Sequence, residues 1–412
     1  MRKYYVHILL IILGTALYFL AHFQRVAVPA PIFDLMQSEL NVSATKITLF
    51  SAIFMYSYAL STLFCGILTD KFGGVKVLLC GSVIFSLGSV LFSNTSNLPL
   101  MYFARSLTGF GAATFYLGLL QEAKKCFPDK YFGVALSVIL FVGYTGGVCA
   151  NAPFVSASEV FGWKEVLNVI AIVSVLVTLS FIFVQHLLKS IHENDKVHLC
   201  LEPFKRVLQN KNNFYIFTFT ILCTGLHYVM MTVLGVKFLK DFLGYSLKNA
   251  SLILSFLVVI AAFSGVILAY LSKLIGNKRL IFLRMLAFIS FIVFSVISIC
   301  ILLNIKTSII AGLILLLAVN GGNTPLAVPI VANTNKYEIR TTAVSVMNSI
   351  SFVFVGLMAT FIGFLMDLFP IAGKINGHII YSNKSYLTVF LFFTLLAVVE
   401  IFMTFKIKEK LN

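Results

Sequence analysis

Long apolar runs alternate with short polar breaks along the whole 412-residue chain. A helix that crosses the hydrocarbon core of a bilayer needs about 20 mostly apolar residues. By that measure the pattern predicts twelve helices, over residues 5–33, 44–68, 76–94, 98–122, 131–157, 165–188, 213–239, 247–271, 279–303, 307–331, 341–367 and 385–406. Most breaks between them are short. The exception is the charged stretch from Lys189 to Asn212, which holds Pro203 and divides six helices from six. The organisation expected is a six-helix bundle over 1–188, a linker over 189–212 that includes a short helix at PFKRVLQN, and a second six-helix bundle over 213–412.

The two halves repeat. A shift of 203 residues lays LNVSATK, from Leu40, over LGYSLKN, from Leu243, and brings the helix pairs and their basic loops into step. Internal symmetry of this kind marks duplicated membrane folds, whose binding sites lie at the repeat interface. The same shift sets Gln24 over His227, Arg25 over Tyr228, and Asp34 over Lys237.

Composition settles the solvent. Hydrophobic residues make up 59% of the chain and charged residues only 11%, against roughly a quarter charged in soluble domains. With a mean hydropathy of +0.98, lipid rather than water must surround most of the chain. The net charge of +16 does not call for nucleic acid, because its placement has another cause. With the N-terminus cytoplasmic, 21 of the 31 basic residues fall in inner segments and eight in outer ones, while Arg25 and Arg105 lie within spans. That asymmetry is the positive-inside rule, and it puts both termini in the cytoplasm. The basic, apolar start resembles a signal peptide, but it has no small-residue cleavage site and reads as a retained first helix. The scattered cysteines form no ligand pair, and no nucleophile, base and acid cluster appears, so neither a metal centre nor an enzyme is expected.

The loop after the second helix reads GILTDKFGGVK, from Gly66 to Lys76. Gly66 is expected to let neighbouring helices approach closely, and Gly73 to permit a tight reversal. This loop resembles the signature Gly-x-x-x-Asp-Arg/Lys-x-Gly of the major facilitator superfamily at Gly66, Asp70, Lys71 and Gly73, although Gly74 and Val75 replace the usual bases. RSLTGFGAA from Arg105, FGWK from Phe161, and SKLIGNKR from Ser272 resemble further motifs of the family. The resemblance implies an all-α membrane fold of two pseudo-symmetric six-helix bundles. It also implies that Asp70 latches the eleventh helix, which starts at Arg340, with Lys71 and Glu122 in the same gating network and Arg105 organising helix packing or a proton path. Tyr18 through Gly73 is most similar to the anion:cation symporters, whose Asp-Arg pair is here Gln24-Arg25 and whose Tyr-Ala-Leu is Tyr58-Ala59-Leu60. Gln24 in place of the acid leaves the coupling device open.

Arginine inside a membrane is costly and faces a cavity or partner. Gly14, Tyr18, His22, Arg25 and Pro29 share one face of the first helix, as do Thr220, Thr224 and His227 in the seventh. The expectation is that these faces meet across a central cavity lined also by Tyr58, Tyr116, Asn320 and Asn348. Arg25 can offer a fork of donors to a carboxylate or phosphate; the other reading is that it snorkels to water or pairs with Asp34. His227 is a candidate proton carrier or a structural histidine. From the repeat alone, Asp34 and Lys237 are expected to form a gate ion pair. Together these features predict a monomeric secondary transporter of the inner membrane that uses no cofactor. It moves a small solute, read as an organic anion, with a coupling proton or sodium ion. Uptake of amino acids, peptides or nucleosides, efflux of amphipathic compounds, and a non-transport sensor are the alternatives.

Overall fold

The computed structural model describes residues 2–186, 202–336, 339–375 and 377–409. These fall into two compact units, one made of Met1–Ala27 and Ile53–Leu199, the other of Val28–Ala52 and Cys200–Asn412. Residues 28–52, which the helix pattern assigns to the first half, cluster with the second unit.

In chain order the first helices are α1 (Arg2–Ala27), α2 (Phe33–Leu40), α3 (Ala44–Phe72), α4 (Gly74–Ser93) and α5 (Leu98–Cys126). Then follow α6 (Asp129–Cys149), α7 (Ala152–Phe161) and α8 (Trp163–His186). The pattern predicts one helix over 5–33, but α1 ends at Ala27 and a single 3-10 turn, Ala30–Ile32, leads into α2. Pro29 and Pro31 are the cause, since neither has an N–H to continue the ladder. The predicted fifth helix is likewise two pieces, α6 and α7, bent by 43°, with Pro153 in the first turn of α7. Within this unit α1 packs on α5, α6 and α8, and α4 packs on α5 and α8.

The second unit holds α9 (Glu202–Gln209), α10 (Lys211–Val229), α11 (Gly235–Leu243), α12 (Leu247–Leu274) and α13 (Arg279–Leu302). It continues with α14 (Ile309–Leu317), α15 (Asn323–Thr334), α16 (Arg340–Asp367) and α17 (Asn383–Lys406). A π-helical turn, Met230–Leu234, joins α10 to α11 in one continuous span. A 3-10 turn, Ala318–Gly322, interrupts the tenth span between α14 and α15. It lies where Pro325 would clash with the carbonyl of Gly321 in a regular helix. Between α16 and α17 runs a small antiparallel hairpin, β1 (Gly373–Ile375) and β2 (His378–Ile380).

Among the described residues, ten helical segments are long and apolar enough to cross a membrane alone, and the bent α6–α7 pair makes an eleventh. The remaining long helix is α5, made more polar by Arg105, Glu122, Lys124 and Lys125. These twelve segments match the twelve expected from the hydrophobic pattern. Large apolar side chains such as Leu176, Leu179 and Phe183 of α8 face outward, as lipid contact requires. The chain is an integral, multi-pass membrane protein.

Candidate functional site

Steps of four and three residues put Tyr18, His22 and Arg25 on one face of α1, and all three are buried. The Tyr18 and His22 rings meet edge-on at 4.7 Å. Tyr144 of α6 stands 5.3 Å from His22, and Tyr116 of α5 stands 6.2 Å from Tyr18. The Arg25 guanidinium lies 4.4 Å from the Tyr58 ring centroid and 5.7 Å from that of Phe54. Aromatic faces attract the cation without cancelling its charge. The first unit therefore brings together four of the expected site residues from α1, α3 and α5 around Arg25, and adds Tyr144. Glycine makes room for them: a Cβ on Gly143 would stand 2.3 Å from Tyr18 Cε1 and 3.3 Å from His22 Cδ2. His22 Nε2 and Gln24 Oε1 are buried without a hydrogen-bond partner among the described residues.

Arg105 is 0% exposed and acts on the backbone. Its Nη1 donates to the carbonyl of Gln24 at 3.1 Å, one of the last-turn carbonyls that α1 itself leaves unpaired. A cation there also complements the helix dipole. The Arg105 guanidinium lies 4.7 Å from the Phe54 centroid, so both Arg25 and Arg105 stand near this ring.

In the second unit Thr220, Thr224 and His227 are buried along α10. Thr220 Oγ1 and His227 Nδ1 have no hydrogen-bond partner among the described residues, whereas Thr224 meets the amide of Asn323. Asn320 is fully enclosed, and its Nδ2 donates to Ser290 Oγ at 2.7 Å. Asn348 of α16 is half-buried.

Charges concentrate where α2 meets α11. Lys237 is 1% exposed, and its Nζ lies 2.6 Å from Asp34 Oδ1 and 2.9 Å from Asp241 Oδ1. Lys240 closes on the other Asp34 oxygen. The repeat pointed to the Asp34–Lys237 contact, but Lys240 and Asp241 were not foreseen. The hairpin completes the group. Lys237 donates to the carbonyl of Ile379. Asp241 Oδ2 accepts from the Tyr381 amide at 3.0 Å and the Tyr386 hydroxyl at 2.8 Å. Gln37 Nε2 donates to the Tyr381 hydroxyl at 2.6 Å, and burial pushes that phenol's pKa up, which keeps it protonated. Burial by itself would raise the Asp34 carboxyl as well, but the Lys237 and Lys240 ammonium groups overcome it and hold Asp34 below its ordinary 3.8. Nearby, Asp367 caps α3: its carboxylate accepts from the amides of Ala44 and Thr45 at 3.0 and 2.8 Å.

One expectation for the signature loop needs correction. Gly66 is not a close-approach glycine, because among the described residues nothing lies within 4 Å of where its Cβ would stand. Glu122 pairs with His7 Nδ1 at 3.3 Å and Lys125 Nζ at 3.1 Å, while Lys71 is exposed with its ammonium over Phe72. The residue beside Lys71, Asp70, is helical, and its side chain lies outside what the structure describes. Gly73 does make the reversal between α3 and α4, at φ +84°. Gly74 stands where related loops carry a base because a Cβ there would press to 2.7 Å on the Gly118 carbonyl and 3.0 Å on Glu122 Oε1. Arg340 begins α16 and donates through Nε to the Asn335 carbonyl at 3.3 Å.

Comparison with known proteins gives concordant results. Residues 12–297 match the family model of the Major Facilitator Superfamily. A probable sulfoacetate transporter of Cupriavidus necator is 25% identical over 291 residues, 64% of this chain and 65% of that protein. The chloroplastic ascorbate transporter of Arabidopsis thaliana is 26% identical over 159 residues, 38% of this chain and 29% of that one. Each match thus covers less than two thirds of the relative's own length. Among solved structures, a bacterial homologue of the human lysosomal transporter Spinster, inward-facing and unoccupied, superposes with a TM-score of 0.75 at 14% identity. That superposition covers 99% of both chains and speaks for the fold.

Proposed function

We propose, from the premise that the chain belongs to the Major Facilitator Superfamily, that it is a secondary transporter of a small organic anion. In this reading it works by alternating access and draws on a coupled cation. The observation that carries it is the Arg25 guanidinium, buried inside the first unit, 4.4 Å from the Tyr58 ring and beside the Tyr18–His22–Tyr144 group. A fork of charged donors held by aromatic faces suits a carboxylate, sulfonate or phosphate flanked by a small organic body. The names of the sulfoacetate and ascorbate transporters among its relatives support an anionic substrate. The basic excess in alternate loops supports cytoplasmic termini. In that orientation the Asp34–Lys237 cluster lies on the outer side and serves as a gate that separates when the path opens outward.

Sulfoacetate uptake into proteoliposomes tests the reading. Replacing Arg25 with alanine should cut uptake more than about tenfold, the loss expected for a charge-assisted hydrogen bond, while Arg25→Lys keeps the charge without the fork and falls between. Melting temperatures of the purified variants check that folding survives. A panel of organic acids, amino acids and sugars should stabilise the wild type only where an anionic group is present. Undiminished uptake by Arg25→Ala rejects the role of Arg25, and stabilisation by neutral sugars alone rejects the anion.

A further inference from the structure

Helix α17 carries one acid within its packed length. Glu400 lies six residues before the Lys406 end, about 9 Å along the axis, and is 0% exposed. Neither Oε1 nor Oε2 makes a hydrogen bond among the described residues. The helix packs on α10, α13 and α16, and each contributes little charge near the carboxyl. Near it lie the Cys223 thiol of α10, whose Sγ is 3.8 Å from the Asn320 carbonyl, and the Ser290 hydroxyl of α13. Arg284 of α13 is engaged further along, over the Phe405 ring at 4.9 Å. The charged residues of α16 are Arg340 and Asp367, at its two ends.

Ser290 stands between two groups. Its Oγ accepts from Asn320 Nδ2 at 2.7 Å, which leaves its own proton to offer. Asn320 Oδ1 is also buried without a partner, and the Asn320 backbone carbonyl takes Asn323 Nδ2 at 2.8 Å. The Ser290 proton is thus the nearest donor to a carboxylate whose two oxygens have no partner among the described residues. A buried acceptor without a donor is destabilising, and an intramembrane acid kept at that cost points to function. What satisfies acceptors of this kind is positive charge without bulk. A metal ion needs a shell of oxygen ligands, and among the described residues no second carboxylate joins Glu400 in a metal-binding group; a proton needs a single oxygen and one neighbour to accept or donate.

We propose that Glu400 is a proton-binding site of the second unit, with Ser290 as its positioning residue. On loading, hydronium gives its proton to Oε and an O–H bond forms; on release the acid returns that proton to water. The proposal supplies the coupled cation left open by Gln24, and in that respect it rests on the transport reading above.

Proton binding is tested without any substrate. The full chain and its Glu400→Gln variant, reconstituted in liposomes, are compared by infrared difference spectroscopy as the bath is stepped from mildly acidic to mildly alkaline pH. The wild type should show a protonated-carboxyl band that gives way to carboxylate, is missing from Glu400→Gln, and is the same in sodium and choline buffers. Ser290→Ala should shift the midpoint of that band, which also tests the site should Glu400→Gln fail to fold. A band identical in wild type and Glu400→Gln overturns the proposal, as does one that never titrates. Loss of the band on adding sodium at fixed pH overturns it in favour of a sodium site. In transport, Glu400→Gln should lose sulfoacetate accumulation driven by a pH gradient yet keep sulfoacetate exchange; wild-type accumulation would overturn the coupling role. Should the wild type not carry sulfoacetate at all, that substrate reading fails, and the infrared result decides Glu400 by itself.

Discussion

Two groups of acids enclosed in the second unit are treated in opposite ways. Asp34 and Asp241 share Lys237, Lys240, a tyrosine hydroxyl and two main-chain groups of the hairpin, so two negative charges meet two positive ones. Glu400 has no such company. Low dielectric strengthens an ion pair and penalises a lone charge by the same physics. The acids of a compensated cluster therefore keep their charge, whereas an uncompensated acid is suited to gaining and losing a proton.

Melting experiments should separate the two most sharply at Lys237. Replacing it with alanine strands the Asp241 carboxylate, leaves Asp34 with Lys240 alone, and should cost about 3–5 kcal/mol, while Glu400→Gln melts no lower than the wild type under the same conditions. A simple exchange of Asp34 and Lys237 will not restore the loss in full, because Lys240 would then face a lysine and Asp241 an aspartate. A smaller loss, about 1.5–3 kcal/mol, is expected for Tyr386→Phe, which removes one hydrogen bond to the charged Asp241. If Tyr386→Phe costs nothing, the hydroxyl is no part of the cluster.

The smallest effect concerns pH. Asp34 is held below its ordinary 3.8, so its contribution is complete above that value and is lost as pH falls through the lower folded value. The melting difference between wild type and Asp34→Asn should then stay constant from about pH 5 to 8 and shrink only below about pH 4. A difference that changes near neutrality would mean that Asp34, not Glu400, exchanges protons in the working range.

Span number and order were legible because each hydrophobic run answers to bilayer thickness, a constraint local in sequence. The Asp34–Lys237 contact was legible for a different reason, since duplication places the two residues at equivalent positions. Asp241, Tyr381 and Tyr386 were not, because the hairpin reaches α11 across some 140 residues with no periodicity to announce it. The π-helical turn at Met230–Leu234 holds no proline or glycine and so left no mark. In the first unit, spacing put Tyr18, His22 and Arg25 on one face. It could not show that Gly143 is what admits the Tyr18 ring, or that Arg105 serves the Gln24 carbonyl. The partnership of Glu122 with His7 was hidden for the same reason, since nothing in the first few residues signals where α1 begins against α5.

Beside the Tyr381 ring, 5.4 Å from the Lys237 ammonium, the hairpin grips the charged cluster by main chain, through the carbonyl of Ile379 and the amide of Tyr381. Every amino acid supplies a carbonyl, and all but proline supply an amide. Evolution is therefore free to rewrite the side chains at 374, 375, 378 and 379 without loosening that grip, so long as strand pairing persists and proline stays away from 381. In descendants of this gene, such a segment would drift in spelling while its path through space stayed fixed.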